Sequence, residues 1–133
     1  MNPIGGKCVF FVRDTPAAIQ FYTSRLGFAL DWTYEENGRP LVVQVSLLGL
    51  QVILNQAEGD TRDRPGSGRL FLGLNESQTA AVLQHAKAFS IEMTYTRWGE
   101  PTAVIRDLDQ NEFFLWFSDA ERLKWQQRQE NRS

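Results

Sequence analysis

Short apolar runs separated by polar, glycine-bearing breaks recur along the chain, and their order repeats once. Cys8-Val-Phe-Phe-Val12 is a continuous apolar run of strand length, bounded by Gly5-Gly6 and Asp14. The stretch Arg13-Asp-Thr-Pro-Ala-Ala-Ile-Gln-Phe-Tyr-Thr-Ser-Arg-Leu-Gly-Phe28 then turns from strand to helix. Thr15 is expected to cap that helix through its hydroxyl, and Pro16 suits the first helical position. Ile19, Tyr22 and Leu26 share one face, and Gly27 supplies a left-handed stop. From Phe28 to Glu35, Leu30, Trp32 and Tyr34 alternate with polar residues as in a half-buried strand. Asn37-Gly38 predicts a hairpin turn, Leu41 to Leu48 a third strand, Gly49 its break, and Leu50 to Asn55 a fourth. The polar segment that follows, with Gly59, Pro65, Gly66 and Gly68, predicts a linker.

The second half repeats the order. Arg69 to Leu74 predicts a strand, and Asn75-Glu-Ser-Gln78 is a capping box opening a helix to about Phe89, with Val82, Ala86 and Phe89 on its apolar face. Strands are predicted from Ile91 to Arg97, where Ile91, Met93 and Tyr95 alternate, from Pro101 to Arg106, and from Asn111 to Phe117 after the turn Asp107-Leu-Asp-Gln110. Aligning Lys7 with Arg69 sets Asp14 against Glu76 and Phe21 against Leu83, so the repeat is one of pattern rather than identity. Ser118, with Glu121 three residues on, suggests a second capping box and a last helix containing Leu123 and Trp125.

These elements predict an α+β domain: two strand-helix-strand-strand-strand modules, 6–56 and 69–117, joined by a linker over 57–68 and followed by a C-terminal helix over 118–130. Edge to edge, the modules would form a curved mixed sheet with a concave cavity and helices outside. A chain of 133 residues with 42% hydrophobic content has the length and apolar content of one such domain. Its net charge of −2, spread along the chain, leaves no basic stripe for nucleic acid. No apolar run suits a membrane span and no basic-then-apolar leader is visible. Cys8 as the only cysteine excludes an intrachain disulfide, and a cytoplasmic location is expected.

The stretch Val12-Arg-Asp…Phe21-Tyr…Arg25-Leu-Gly-Phe28, the duplicated order, and Arg106-Asp-Leu-Asp-Gln-Asn-Glu-Phe-Phe-Leu115 together resemble the vicinal oxygen chelate superfamily. Its members include glyoxalases, ring-cleaving dioxygenases, fosfomycin-inactivating enzymes and bleomycin resistance proteins. The resemblance extends to about Phe117. Where that family usually has glycine in the closing turn, this chain has Gln110; Asn111 is expected to take up the turn conformation, with Asp107 or Asp109 bonding the backbone.

The resemblance implies that metal ligands, in members that use a metal, would fall at Lys7, Gln51, Arg69 and Phe114. Only Gln51 is a plausible donor. Phenylalanine donates nothing, arginine stays protonated, and a lysine adds positive charge. The expectation is therefore no metal and no cofactor, closest to the bleomycin-resistance type. If the ligand positions keep their direction, Lys7, Val9, Phe11, Gln51, Ile53, Asn55, Arg69, Phe71, Phe114 and Trp116 face the cavity, and Cys8, Phe10, Val12, Leu70, Leu72, Phe113, Leu115 and Phe117 face the helices.

Candidate ligand-binding residues are Trp98, Arg69, Lys7, Gln51, Phe71, Phe114, Trp116 and Trp32. Trp98-Gly-Glu100 leads because bleomycin resistance proteins carry a similar tryptophan-glycine pair near their ligand. The competing reading of the aromatics is core filling; for Trp32 and Tyr34 it is contact with a partner subunit. Lys7 and Arg69 imply either internal ion pairs, with Glu112 or Glu100 as partners, or an anionic group on the ligand. They would oppose a cationic drug such as bleomycin. No catalytic residue is identified: Cys8 faces the helix layer and His85 lies on the outer helix. The segment around Arg62-Asp-Arg-Pro-Gly66 could serve as a solvated connector or as a lid. The resulting expectation is a metal-free homodimer that sequesters an aromatic or amphipathic small molecule. The alternatives are a lyase, isomerase or dioxygenase with a non-standard or absent metal site, the metal-independent lyase or isomerase using Glu100 or Glu112 as base, and an interaction module without a pocket.

Overall fold

The computed structural model describes residues 3–96 and 102–130. It is an α+β structure with two four-stranded mixed sheets, in the orders β1-β4-β3-β2 and β5-β8-β7-β6. The strands are β1 (Cys8–Val12), β2 (Ala29–Glu36), β3 (Arg39–Leu47), β4 (Leu50–Gln56), β5 (Arg69–Gly73), β6 (Thr94–Tyr95), β7 (Ala103–Arg106) and β8 (Glu112–Trp116). The helices are α1 (Thr15–Gln20), α2 (Glu76–Ala88) and α3 (Asp119–Glu130). The chain forms two compact units. Unit 1 runs to Gly68 and includes Asp107–Asn111; unit 2 comprises Arg69–Arg106 and the chain from Glu112 onward.

In unit 1, β1 pairs parallel with β4, and β2-β3-β4 form an antiparallel meander. Its turns follow the sequence: Asn37 and Gly38 sit at φ 53 and 73, as a primed hairpin turn requires, and Leu48 and Gly49 at 52 and 86 make a second. Phe10, Val12, Val43, Val45, Val52 and Leu54 are buried together with Ala18, Tyr22 and Leu26 of the helical segment. Directly opposed strand residues share a face. Val43 with Leu54 and Val45 with Val52 therefore define the covered face, and Ile53 with Gln44 the open one.

Two expectations change in this unit. Asp14, not Thr15, is the N-cap of α1 and makes no side-chain capping bond. Thr15 is buried and gives its backbone N–H and hydroxyl to Gln56 Oε1 of β4 (2.8 and 2.7 Å), so tertiary contact replaces the local cap. The helix then widens into a π turn over Phe21–Arg25 before Gly27, at φ 76, ends it. Strand β2 is exposed along its whole length, with Leu30, Trp32 and Tyr34 at 46, 41 and 52%. Alternation grouped Leu30 with Trp32, but a register shift sets Leu30 opposite Val45 and Trp32 opposite Gln44, on different faces, and among the described residues β2 is an edge strand.

In unit 2, β5 pairs parallel with β8, and β8-β7-β6 run antiparallel. The core is Ala103, Leu115 and Phe117, with Leu72, Leu74, Val82, Leu83, Met93 and Ile105 packed against it. The capping box of α2 is present in both directions: Gln78 N–H donates to Asn75 Oδ1 and Asn75 N–H to Gln78 Oε1, each at 2.9 Å. The helix stops at Ala88, and Phe89 is 43% exposed with its ring 4.6 Å from His85, off the apolar face expected of it. β6 is shorter than Ile91 to Arg97, and β7 begins at Ala103; Arg97 and Pro101 lie outside the described residues. α3 begins just after Ser118, whose carbonyl accepts from Arg122 N–H at 3.0 Å. Glu121 reaches Arg128 along the helix rather than back toward Ser118. The stacked pair Tyr95–Trp125, 4.4 Å and 17° apart, ties α3 to the β6 edge.

Candidate functional site

Each unit has one covered sheet face and one open face, and the candidate residues distribute between the two open faces. In unit 1, Val9, Phe11, Gln51, Ile53 and Asn55 alternate with buried Phe10, Val12, Val52 and Leu54. Gln51 is exposed and opposite Ser46; Trp32 is opposite Gln44. Lys7, exposed just before β1, donates from Nζ to Gln44 Oε1 at 2.6 Å. Gln44 Nε2 donates to Asp31 Oδ2 at 2.8 Å, and Ser46 Oγ to Asp31 Oδ1 at 2.9 Å. Asp31 reaches this face because the β2–β3 register shifts between Leu30 and Trp32, inserting it as the extra residue of a bulge. Arg64 stacks over Phe11 at 5.3 Å, closing one flank from the segment after β4.

In unit 2, the open face carries Arg69, Phe71, Glu112, Phe114 and Trp116, paired in register across β5 and β8. Arg69 Nε lies 2.6 Å from Glu112 Oε1 and Arg106 Nε 2.9 Å from Glu112 Oε2, so one carboxylate serves two guanidinium groups. Of the two alternatives open for Arg69, an internal ion pair or a ligand's anionic group, the first is present with Glu112, and half of the side chain stays exposed. Phe71 and Trp116 sit 6.2 Å apart, and Arg122 of α3 covers the Trp116 ring at 4.2 Å. Beside them opens a cleft of about 450 Å³ lined by Leu74, Asn75, Trp116, Ser118 and Arg122 among others. Trp98 and Glu100 lie outside the described residues.

At the four positions where the superfamily resemblance implies metal ligands, the side chains make a poor donor set. Lys7 and Arg69 are cationic and already hydrogen-bonded, and Phe114 is a hydrocarbon, which leaves Gln51 as a single neutral donor. Among the described residues no three His, Cys, Asp or Glu side chains cluster as a metal site would need. Cys8 is half-buried and desolvation pushes its thiol above the ordinary value, which disfavours the nucleophilic thiolate. Both Glu112 oxygens accept from guanidinium groups, an arrangement that orients the carboxylate away from a base's role.

Sequence reasoning did not single out Gln44 or Asp31. Gln44 is 4% exposed in the middle of an apolar strand, Leu-Val-Val-Gln-Val, and a polar residue breaking such a run is the signal that could have found it. Asp31 had no such signal, because its position depends on a bulge formed by strand pairing.

The comparisons agree with this fold. The family model for the Glyoxalase/Bleomycin resistance protein/Dioxygenase superfamily matches residues 6–124, and the chain belongs to that superfamily. No curated protein matches the chain. Among solved structures, TnmS3, an antibiotic binding protein from Streptomyces sp. CB03234, superposes with a TM-score of 0.57 at 21% identity over 90% of this chain and 100% of that one. A lactoylglutathione lyase from Agrobacterium tumefaciens gives 0.55 at 17% identity, over 87% and 96%. A glyoxalase/bleomycin resistance protein from the same Streptomyces strain gives 0.54 at 23%, over 83% and 98%. At these identities the likeness is one of fold.

Proposed function

We propose that the chain is a small-molecule-binding member of the superfamily that works without a metal ion. It would hold an aromatic or amphipathic ligand bearing an anionic group. The aromatic contacts in this reading are Trp32, Phe71, Phe114, Trp116 and Trp98, and the polar ones Lys7, Gln51 and Arg69. The observation that carries it is the donor set: at the four positions where the resemblance implies metal ligands, this chain has two cations, a phenyl ring and one neutral amide, Gln51, and Arg69 is committed to Glu112. Open sheet faces that combine exposed aromatic rings with a few fixed polar groups suit small-molecule recognition, and Phe71 at 55% and Trp32 at 41% exposure have area to offer. That one structural neighbour is an antibiotic binding protein is consistent with sequestration. The reading includes a cytoplasmic homodimer, for which the long exposed edge strand β2 is the supporting feature.

Elemental analysis of protein purified without chelator, combined with a thermal-shift panel of aromatic acids, conjugates and glycopeptide antibiotics, tests the proposal. The expected result is no stoichiometric zinc, iron, nickel or manganese, and a raised Tm with one ligand class. A ligand present at a hundred times its Kd adds about 2.7 kcal/mol of stability. Stoichiometric metal would transfer the chain to the enzymatic branch of the superfamily, and a flat panel would favour an interaction module.

A further inference from the structure

Among the cations on the open faces, Lys7 and Arg69 are in different electrostatic states. Arg69 is ion-paired to Glu112, which Arg106 shares, so its guanidinium is committed to a carboxylate although the trio keeps a net positive charge. Among the described residues, Lys7 has no carboxylate at hydrogen-bond distance, and its hydrogen bond goes to the neutral amide oxygen of Gln44. An ammonium group carries three donors, so two of the N–H groups of exposed Lys7 remain for another acceptor.

The geometry assigns the anion-binding role on unit 1's open face to Lys7, with Gln44 and Asp31 as its positioning residues. This rests on the small-molecule-binding reading and deepens it by naming which cation meets the ligand's negative group. Gln44 is nearly inaccessible, and its amide is held at both ends: Oε1 accepts from Lys7 and Nε2 donates to Asp31, whose other oxygen accepts from Ser46. Asp31 thereby fixes which way the amide points, and the amide presents an oxygen to the ammonium. Lys7 is oriented without a direct ion pair, because Asp31 stands one amide removed and leaves the ammonium its other N–H donors. A carboxylate in the place of Gln44 would have produced the ion-paired state seen at Arg69. Trp32 lies opposite Gln44 on the same face, so an aromatic ring carrying a carboxylate, sulfonate or phenolate finds a π surface beside the cation.

The test compares two fluorescent probes of similar ring system, anionic anilinonaphthalene sulfonate and neutral N-phenylnaphthylamine, titrated into the full chain and into folded variants checked by far-UV circular dichroism. K7Q is expected to weaken the sulfonate about tenfold and leave the neutral probe within about twofold, the size expected for one charge-assisted hydrogen bond. R69Q should cost less than K7Q, and K87Q, which removes the same charge from the exposed end of α2, should leave both probes unchanged. The double variant D31N/Q44E moves one negative charge next to Lys7 at constant net charge. It should reproduce the loss seen in K7Q for the sulfonate alone, which a merely structural role for Gln44 would not do. Sulfonate binding that is indifferent to K7Q, or as sensitive to R69Q or K87Q, overturns the assignment while leaving small-molecule binding in place. Failure of the wild-type chain to bind either probe overturns both.

Discussion

Asp107 and Asn111 form the buried polar centre of unit 1, each side chain making four hydrogen bonds. Asp107 is 2% exposed, and its Oδ1 accepts the backbone N–H groups of Asp109 (2.8 Å) and Asn111 (2.9 Å) while Oδ2 accepts from Tyr22 Oη (2.7 Å) and Asn111 Nδ2 (3.0 Å). Asn111 extends the network to Phe11 O and to the N–H groups of Gly66 and Gly68. Gly68 must lack a side chain here, since a Cβ would lie 2.5 Å from the Phe10 ring and 2.8 Å from Asn111 Oδ1. Burial raises the Asp107 pKa above its ordinary 3.8, and the hydrogen bonds only partly oppose that. Between 3.8 and the raised folded value, the native state holds a proton that the unfolded state has released. The contribution of this group is thus full below 3.8 and is lost as pH rises through the folded value. Tyr22→Phe removes a bond that favours the charged form but keeps the edge-on packing against Phe28. It should cost about 1–3 kcal/mol in urea unfolding. The deficit should also grow as pH climbs from 3.8, because only the ionised carboxylate misses the full bond; a deficit independent of pH would contradict this account.

At the scale of elements, local chemistry decided some boundaries and tertiary contact decided others. The α2 start was legible because a capping box is closed by residues three apart, and Asn75→Ala should lower stability by about 1 kcal/mol, read as a shift of the unfolding midpoint. The α1 start was misassigned because Gln56, forty-one residues away, supplies the acceptor for Thr15. Gln110 was expected to leave the turn conformation to Asn111, yet it takes φ 75 itself while Asn111 is recruited into the buried network. The turn Asp107–Asn111 belongs in sequence to the second repeat, but it packs with unit 1, where Arg13 donates to Asp109 Oδ1 from its backbone (3.0 Å) and its guanidinium (3.1 Å).

For the whole molecule, the exposed β2 edge carries the proposal of a homodimer. Sedimentation equilibrium should return twice the 15.2 kDa chain mass, and a single-chain mass at micromolar concentration would remove that part of the reading. The order of elements, the primed turn at Asn37-Gly38, the α2 cap and the superfamily were all readable from the chain. Each rests on neighbours in sequence or on a repeat of pattern. The residue types at the positions implied by the resemblance were equally plain, since lysine, arginine and phenylalanine are poor ligands in any fold and Gln51 is a single neutral donor. Only the tertiary structure decided that, among the described residues, Arg69 meets a carboxylate and Lys7 an amide. That depends on Glu112 standing in register beside Arg69, and on a bulge turning Asp31 toward Gln44. Charge at one position is a property of the residue, but whether that charge is already neutralised is a property of what folding places within hydrogen-bond reach.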